Sequence, residues 1–251
     1  MAIRRLLGLM LVLLATGAAA DSLRFSLIRT GESTTGGEFA WRDGRWVDPP
    51  RINHVAVLIE HSGRRLLFGT GLGKQIDVQM DSAFPWREKR YVAVAVHPAR
   101  DQLSGDDRHV DQIVLGCARW QYASGLADFA ELPVLASQDG IDYARTAMPP
   151  AVLAAQFAHG VNWQPLRFEQ RPFLGFTESL DLSGDQRLVL VKLPGHGALG
   201  LFLTMDDGRR FFLRGDAAEA EQNHMQLPED TVRLHDTGVQ ERLGFYPHWT
   251  R

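Results

Sequence analysis

Cysteine is nearly missing from this chain: Cys117 is the only one, so no internal disulfide can staple the fold and stability must come from core packing. Charge of one sign is missing too. Lys and Arg number 27 against 30 Asp and Glu, a formal net charge of −3, which gives no electrostatic footprint for nucleic acid. Past Ala20 no apolar run approaches the roughly 20 residues of a membrane helix. There is no low-complexity tract or linker, no Gly-x-Ser-x-Gly elbow, and neither dinucleotide nor P-loop spacing. What remains is one domain, residues 21–251, in a chain whose 45% hydrophobic content suffices for a single substantial core.

The first 20 residues differ from the rest. Arg4-Arg5, an apolar run from Leu6 to Ala15 and the small residues Thr16 to Ala20 read as a cleavable secretory signal, cut after Ala20. An uncleaved anchor and a twin-arginine signal are the alternative readings. The expected location is periplasmic or secreted, with no membrane attachment after cleavage and no nucleic-acid partner. Removing Arg4 and Arg5 shifts the formal charge from −3 to −5. A lone thiol in an oxidising compartment draws attention, but a small buried hydrophobe is the plain reading of Cys117.

The chain is organised around Val110–Leu126, VDQIVLGCARWQYASGL. Val110 to Gly116 predicts a buried strand, rich in β-branched and aliphatic residues and ended by glycine. Cys117 to Gly125 is too polar to continue it and falls at its carboxyl end, where α/β sheets place their chemistry. Before it, Ser22–Arg29 alternates as a half-buried strand and Thr30–Gly37 reads as a loop. Trp41–Trp46 reads as a hairpin on Asp43-Gly44, and His54–Glu60 with Arg65–Phe68 as a second, buried hairpin. Lys74–Arg90 predicts a helix that becomes irregular near Pro85, Tyr91–Val96 a short strand, and Pro98–Arg108 a polar connection. After it come a strand at Pro133–Ser137 and helices at Asp139–Ala147 and Ala151–Ala158. The remaining strands are at Phe173–Leu180, Leu188–Leu193, Leu199–Thr204 and Arg210–Arg214. The periodicity establishes a mixed α/β protein.

Read with Gly195-His196 and Gly215-Asp216, the central stretch resembles the signature loop of the metallo-β-lactamase fold, most closely its lactonase-like hydrolases. The resemblance spans Leu23 to Pro247 and implies a four-layer αβ/βα sandwich. Relatives carry Ser/Thr-His-x-His-x-Asp-His after the strand. This chain places Gly116, Cys117, Arg119, Gln121 and Tyr122 at the lead hydroxyl, the two histidines, the aspartate and the third histidine. Gly69, in Phe68-Gly69-Thr70-Gly71, stands where relatives carry a supporting aspartate. His196 and Asp216 match the family's histidine ligand and bridging aspartate. Leu234-His235-Asp236 has the final His-Asp pair but reads as helical with no strand before it, and His248 is a weak substitute; the last ligand and the last strand are read as missing. Phe157, Trp163 and Phe168 fall in the region that covers the mouth in lactonase-like members, as an apolar pocket lining or as core.

Hydrolytic zinc needs about three protein ligands and an open position for water, so the dinuclear site is expected not to form and no cofactor is expected. A reduced zinc site on Cys117, His196 and Asp216 is the alternative, since thiolate, imidazole and carboxylate all ligate zinc. Arg119 argues against it: a guanidinium repels a cation, and pairing with Asp216 would replace the metal's charge. Three functional readings are open: a protein that binds a small-molecule ligand at Arg119, Tyr122, Phe157 and Trp163; a divergent hydrolase of a small ester or lactone; and a decaying copy with an incomplete sheet edge. Ser124, His196 and Asp216 have the residue types of a triad, but without a Gly-x-Ser-x-Gly elbow such common types coincide by chance; Cys117 with His196 as a thiolate nucleophile, lowered in pKa by Arg119, is a minor reading.

Overall fold

In β4 (Arg51–His61) the alternation expected of a strand buried on both faces is visible side chain by side chain. Ala56 and Leu58 join one apolar cluster while Val57 and Ile59 join another. The computed structural model describes residues 22–34, 40–42, 45–47, 51–83, 92–94, 96–149, 151–215 and 226–251. The signal read at residues 1–20, the Asp43-Gly44 turn, Pro85 and Asp216 lie outside the described residues.

β4 pairs antiparallel with β1 (Arg24–Thr34) and with β5 (Arg64–Phe68). From β5 the sheet continues in parallel through β7 (Gln112–Val114), β8 (Pro133–Ser137) and β9 (Asn162–Leu166), while β6 (Val92–Val94) closes the other edge. A second sheet runs β10 (Ser179–Asp181), β11 (Leu188–Lys192), β12 (Leu199–Thr204), β13 (Arg210–Arg214), β14 (Thr231–Arg233). β2 (Ala40–Arg42) and β3 (Arg45–Val47) form the expected small hairpin.

The inner faces meet through Phe25, Leu27, Val57, Ile59 and Phe68 of the first sheet and Leu190, Leu201, Phe211 and Leu213 of the second. Helices cover the first sheet's outer face, where Ala99 of α2 (Ala99–Gln102) and Ile141 and Ala144 of α4 (Gln138–Thr146) pack on Leu58, Leu67 and Ile113. At the end opposite the carboxyl ends of the parallel strands, His61 Nε2 and Asp185 Oδ2 hydrogen-bond at 2.7 Å and tie the sheets together.

Several expectations need correction. Thr30–Gly37 is not a loop at its start, because β1 runs on to Thr34 after an irregularity at Arg29/Gly31. The Pro98–Arg108 connection contains α2 and a 3-10 turn, Gly105–Arg108. Ala151–Ala158 holds only a 3-10 turn, Ala154–Phe157. Only Ser179–Asp181 of the strand expected from Phe173 is extended in the sheet. Most important, a strand does precede Leu234-His235-Asp236: β14, parallel to β13. The first sheet's edge is covered as well, since Phe25 and Thr250 exchange backbone hydrogen bonds of 3.0 and 2.8 Å and Tyr246 N–H donates to Leu27 O. His248 belongs to this strap, its carbonyl accepting the Ser26 hydroxyl.

Candidate functional site

The carboxyl ends of β5, β7 and β8 lie together, and glycine lets the two sheets close on them. Leu199 N–H donates to Gly116 O at 2.8 Å and Gly215 N–H to Leu199 O at 2.7 Å. Gly116 and Gly215 are in backbone contact, with no room for a side chain on either. Cys117 leaves this junction directly, and His196 leads into β12 from the turn before it. Gly69 adopts a φ of +66°, a left-handed conformation that glycine takes without strain.

Past the junction the chain turns into α3 (Trp120–Ala123). Cys117 is 5% exposed and its sulfur accepts the Arg119 N–H at 3.4 Å, an environment of a packed thiol rather than an open nucleophile. Arg119, half-buried, sits at the N-cap position, its carbonyl accepting the Tyr122 and Ala123 N–H groups. The Tyr122 carbonyl in turn accepts both the N–H and the hydroxyl of Thr70, at 2.8 and 3.0 Å. Gln121 Oε1 is buried with no hydrogen-bond partner, an acceptor left open two residues past Arg119.

Sequence reasoning missed the roles of two residues that hold this loop. The Gln156 carboxamide, fully buried, accepts the Leu153 N–H and donates to Ala118 O at 2.8 Å. Ser124, 1% exposed, donates to Gly71 O and accepts the Gly73 N–H at 2.9 Å. Its hydroxyl is thereby committed to the Gly71–Gly73 backbone. Ser124→Ala should cost about 1 to 2 kcal/mol by stranding a buried amide; urea melts agreeing within about 0.5 kcal/mol, the usual range for innocuous substitutions, would refute this role.

His196 is exposed, has a φ of +42°, and stacks on Tyr143 of α4 with centroids 4.4 Å apart and planes 12° from parallel. Its turn is pinned by the Ser137 hydroxyl, which donates to Gly197 O at 2.7 Å. Phe157 and Trp163 form a tilted pair 5.8 Å apart against the helix-side core. Phe168 is not with them: it packs on the cluster between the sheets, with Lys192 Nζ 5.5 Å over its ring. His54, 4% exposed beside Trp120, is held down to a pKa of about 4 by burial.

Among the described residues no three of His, Cys, Asp and Glu form a metal-holding group. A guanidinium, an amide and a phenol at Arg119, Gln121 and Tyr122 are poor zinc donors, so these described loop residues do not fit a two-metal centre.

No family model matches the sequence, and no curated protein is similar to it in sequence. Solved structures are similar in shape. An N-acyl homoserine lactone hydrolase, solved with the product N-hexanoyl-L-homoserine at its catalytic metal center, superposes with a TM-score of 0.67 at 12% identity, covering 91% of this chain and 99% of that one. A protein of B. thuringiensis with N-decanoyl-L-homoserine bound at its active site gives 0.64 at 12% identity, over 91% and 99%. A probable metal-dependent hydrolase from Staphylococcus aureus gives 0.52 at 10% identity, over 78% and 73%. At such identities the likeness shows the fold: a mixed α/β sandwich of the metallo-β-lactamase type.

Proposed function

We propose that this chain is an exported protein of metallo-β-lactamase fold that binds a small molecule at the carboxyl ends of β5, β7 and β8 and does not carry out two-metal hydrolysis. The observation that supports it is the donor chemistry of the loop: Arg119, Gln121 and Tyr122 occupy the motif positions, while the buried Cys117 sulfur already accepts the Arg119 N–H. A fold hosts many functions, and activity lives in the site. In this reading the Arg119 guanidinium supplies positive charge in place of a cation, with the carboxylate that the family resemblance assigns to Asp216 as its counter-charge. Export is supported by the signal-like Met1–Ala20.

The fold likeness to metal-dependent hydrolases favours a second reading, a one-metal hydrolase of a small ester or lactone on Cys117, His196 and Asp216. Metal analysis of the purified mature protein separates the two. The expected result is well under one zinc per chain, unchanged in Cys117→Ala and His196→Ala, with no lactone turnover on zinc addition. Stoichiometric zinc lost in either variant, together with turnover, would establish the hydrolase and end the binding proposal.

A further inference from the structure

The turn between β11 and β12 holds one exposed side chain in a fixed place. Leu193 N–H donates to Ala198 O at 2.9 Å and Ala198 N–H to Gly195 O at 3.0 Å, which closes a tight hairpin turn with His196 and Gly197 at its centre. Their φ values are +42° and +70°. A hairpin turn with both central residues left-handed selects Asn-Gly or Gly-Gly, so an imidazole in the first of the two places is an exception. Backbone held in such a region collects at ligand and catalytic sites.

Two contacts fix this turn against α4. The Ser137 hydroxyl donates to Gly197 O at 2.7 Å and accepts the Gly140 N–H at 3.0 Å, so one side chain caps the helix and anchors the turn. Gly197 lies so close to the helix that a Cβ built on it would stand 2.0 Å from the Gly140 nitrogen. Farther along α4, Tyr143 is half-buried with its ring against the helix-side core. The His196 ring lies on it, 4.4 Å between centroids and 12° between planes, and His196 itself is exposed. Core, phenol and imidazole follow one another in that order, and the imidazole carries the stack out to solvent. This turn borders the Cys117–Tyr122 loop. Leu199 N–H donates to Gly116 O at 2.8 Å; His196 and Arg119 each lie three residues from that bond, a reach of about 11 Å at most.

We propose that His196, backed by Tyr143, is a stacking platform for a planar aromatic or heteroaromatic ring of the small molecule bound at this site. The proposal rests on the binding reading above and narrows it to a ring-bearing ligand. Flat π faces prefer offset stacking at the spacing already seen between Tyr143 and His196. A ring that the turn and the phenol beneath it hold in place has little motion left to lose when a ligand settles on it, and such preorganisation favours binding. A saturated ligand of the same size would bury the same area without the π contact.

The test is NMR titration of the whole mature protein with 2-naphthoate and with decahydro-2-naphthoate, which share a carboxylate and a fused two-ring frame but differ in flatness. Saturable binding of 2-naphthoate is expected, with the His196 ring C–H signals moved upfield by the ring current of the stacked probe, and the decahydro probe should bind about fivefold more weakly. His196→Asn, a residue at ease with positive φ, should lose about the same factor. His196→Phe keeps a flat face without ring nitrogens and should retain the binding, which a metal-ligating histidine would not allow. Both changes fall on an exposed turn, and thermal melts matching wild type would show the fold intact. Equal affinity for the flat and the saturated probe, 2-naphthoate binding unchanged in His196→Asn, or no saturable binding of 2-naphthoate would overturn the platform. The binding reading itself fails separately, on stoichiometric zinc with lactone turnover.

Discussion

Gly215→Ala should leave little folded protein. A methyl at that position would stand 1.9 Å from the Gly116 carbonyl oxygen and 2.4 Å from its carbon. Both are backbone atoms held by the Leu199 bridge, so no rotamer change can admit it. Overpacking usually costs about 1–3 kcal/mol, but here the sheets themselves must separate, and we expect a loss of at least about 4 kcal/mol, in the exceptional range for one substitution. The control is Gly208→Ala. Gly208 has a φ of +85° with open space around it, so that change should cost only the left-handed strain of about 1–2 kcal/mol. Chemical melts of the two variants should differ by several kcal/mol. Equal stabilities would mean that the Gly116–Gly215 contact is soft, and with it the junction that positions the Cys117 loop.

The same junction shows what could be read from the chain beforehand. Strands such as His54–Glu60, Pro133–Ser137 and Leu199–Thr204 were legible because continuous or alternating apolar runs state their burial directly. The end of the central strand was legible for a similar reason: Val110–Gly116 is apolar and the residues from Cys117 onward are abruptly polar. β9 was not. Its sequence, NWQPL, is polar with a proline, and only pairing with β8 makes it a strand. β14, with three residues, carries too short a pattern to register, and for that reason His235 reads as helical and the sheet as incomplete. The helix expected at Ala151–Ala158 failed because its backbone is used elsewhere: Ala151 O accepts the Trp120 N–H and the Gln156 side chain accepts the Leu153 N–H. Ser124 and Gln156 act across 53 and 38 residues of chain. Side-chain bonds to distant backbone leave no local periodicity to find.

Acid should weaken this fold before its carboxylates protonate, and His54 is the reason. Its ring is buried against Trp120, and burial holds its pKa near 4 against an ordinary 6.5. Because the folded-state value is the lower one, the unfolded chain takes up this proton first as pH falls. Stability from the neutral ring is therefore fully present above pH 6.5, declines between about 6.5 and 4, and is spent below that. At 1.36 kcal/mol per pKa unit the window spans about 3 kcal/mol, of which about 2 to 3 should be gone by roughly pH 4.5. His235 is shifted the same way, but its exposure to solvent makes its share smaller, and a variant isolates the contribution of His54. Urea unfolding of wild type and His54→Phe at pH 7 and pH 4.5 should show the variant losing about 2 kcal/mol less than wild type between the two conditions. Its absolute stability at pH 7 is a separate matter, since the replaced ring nitrogens also affect packing. If the two proteins lose stability in parallel, the buried imidazole is already charged in the native state, and the acid sensitivity must be sought among the carboxylates instead.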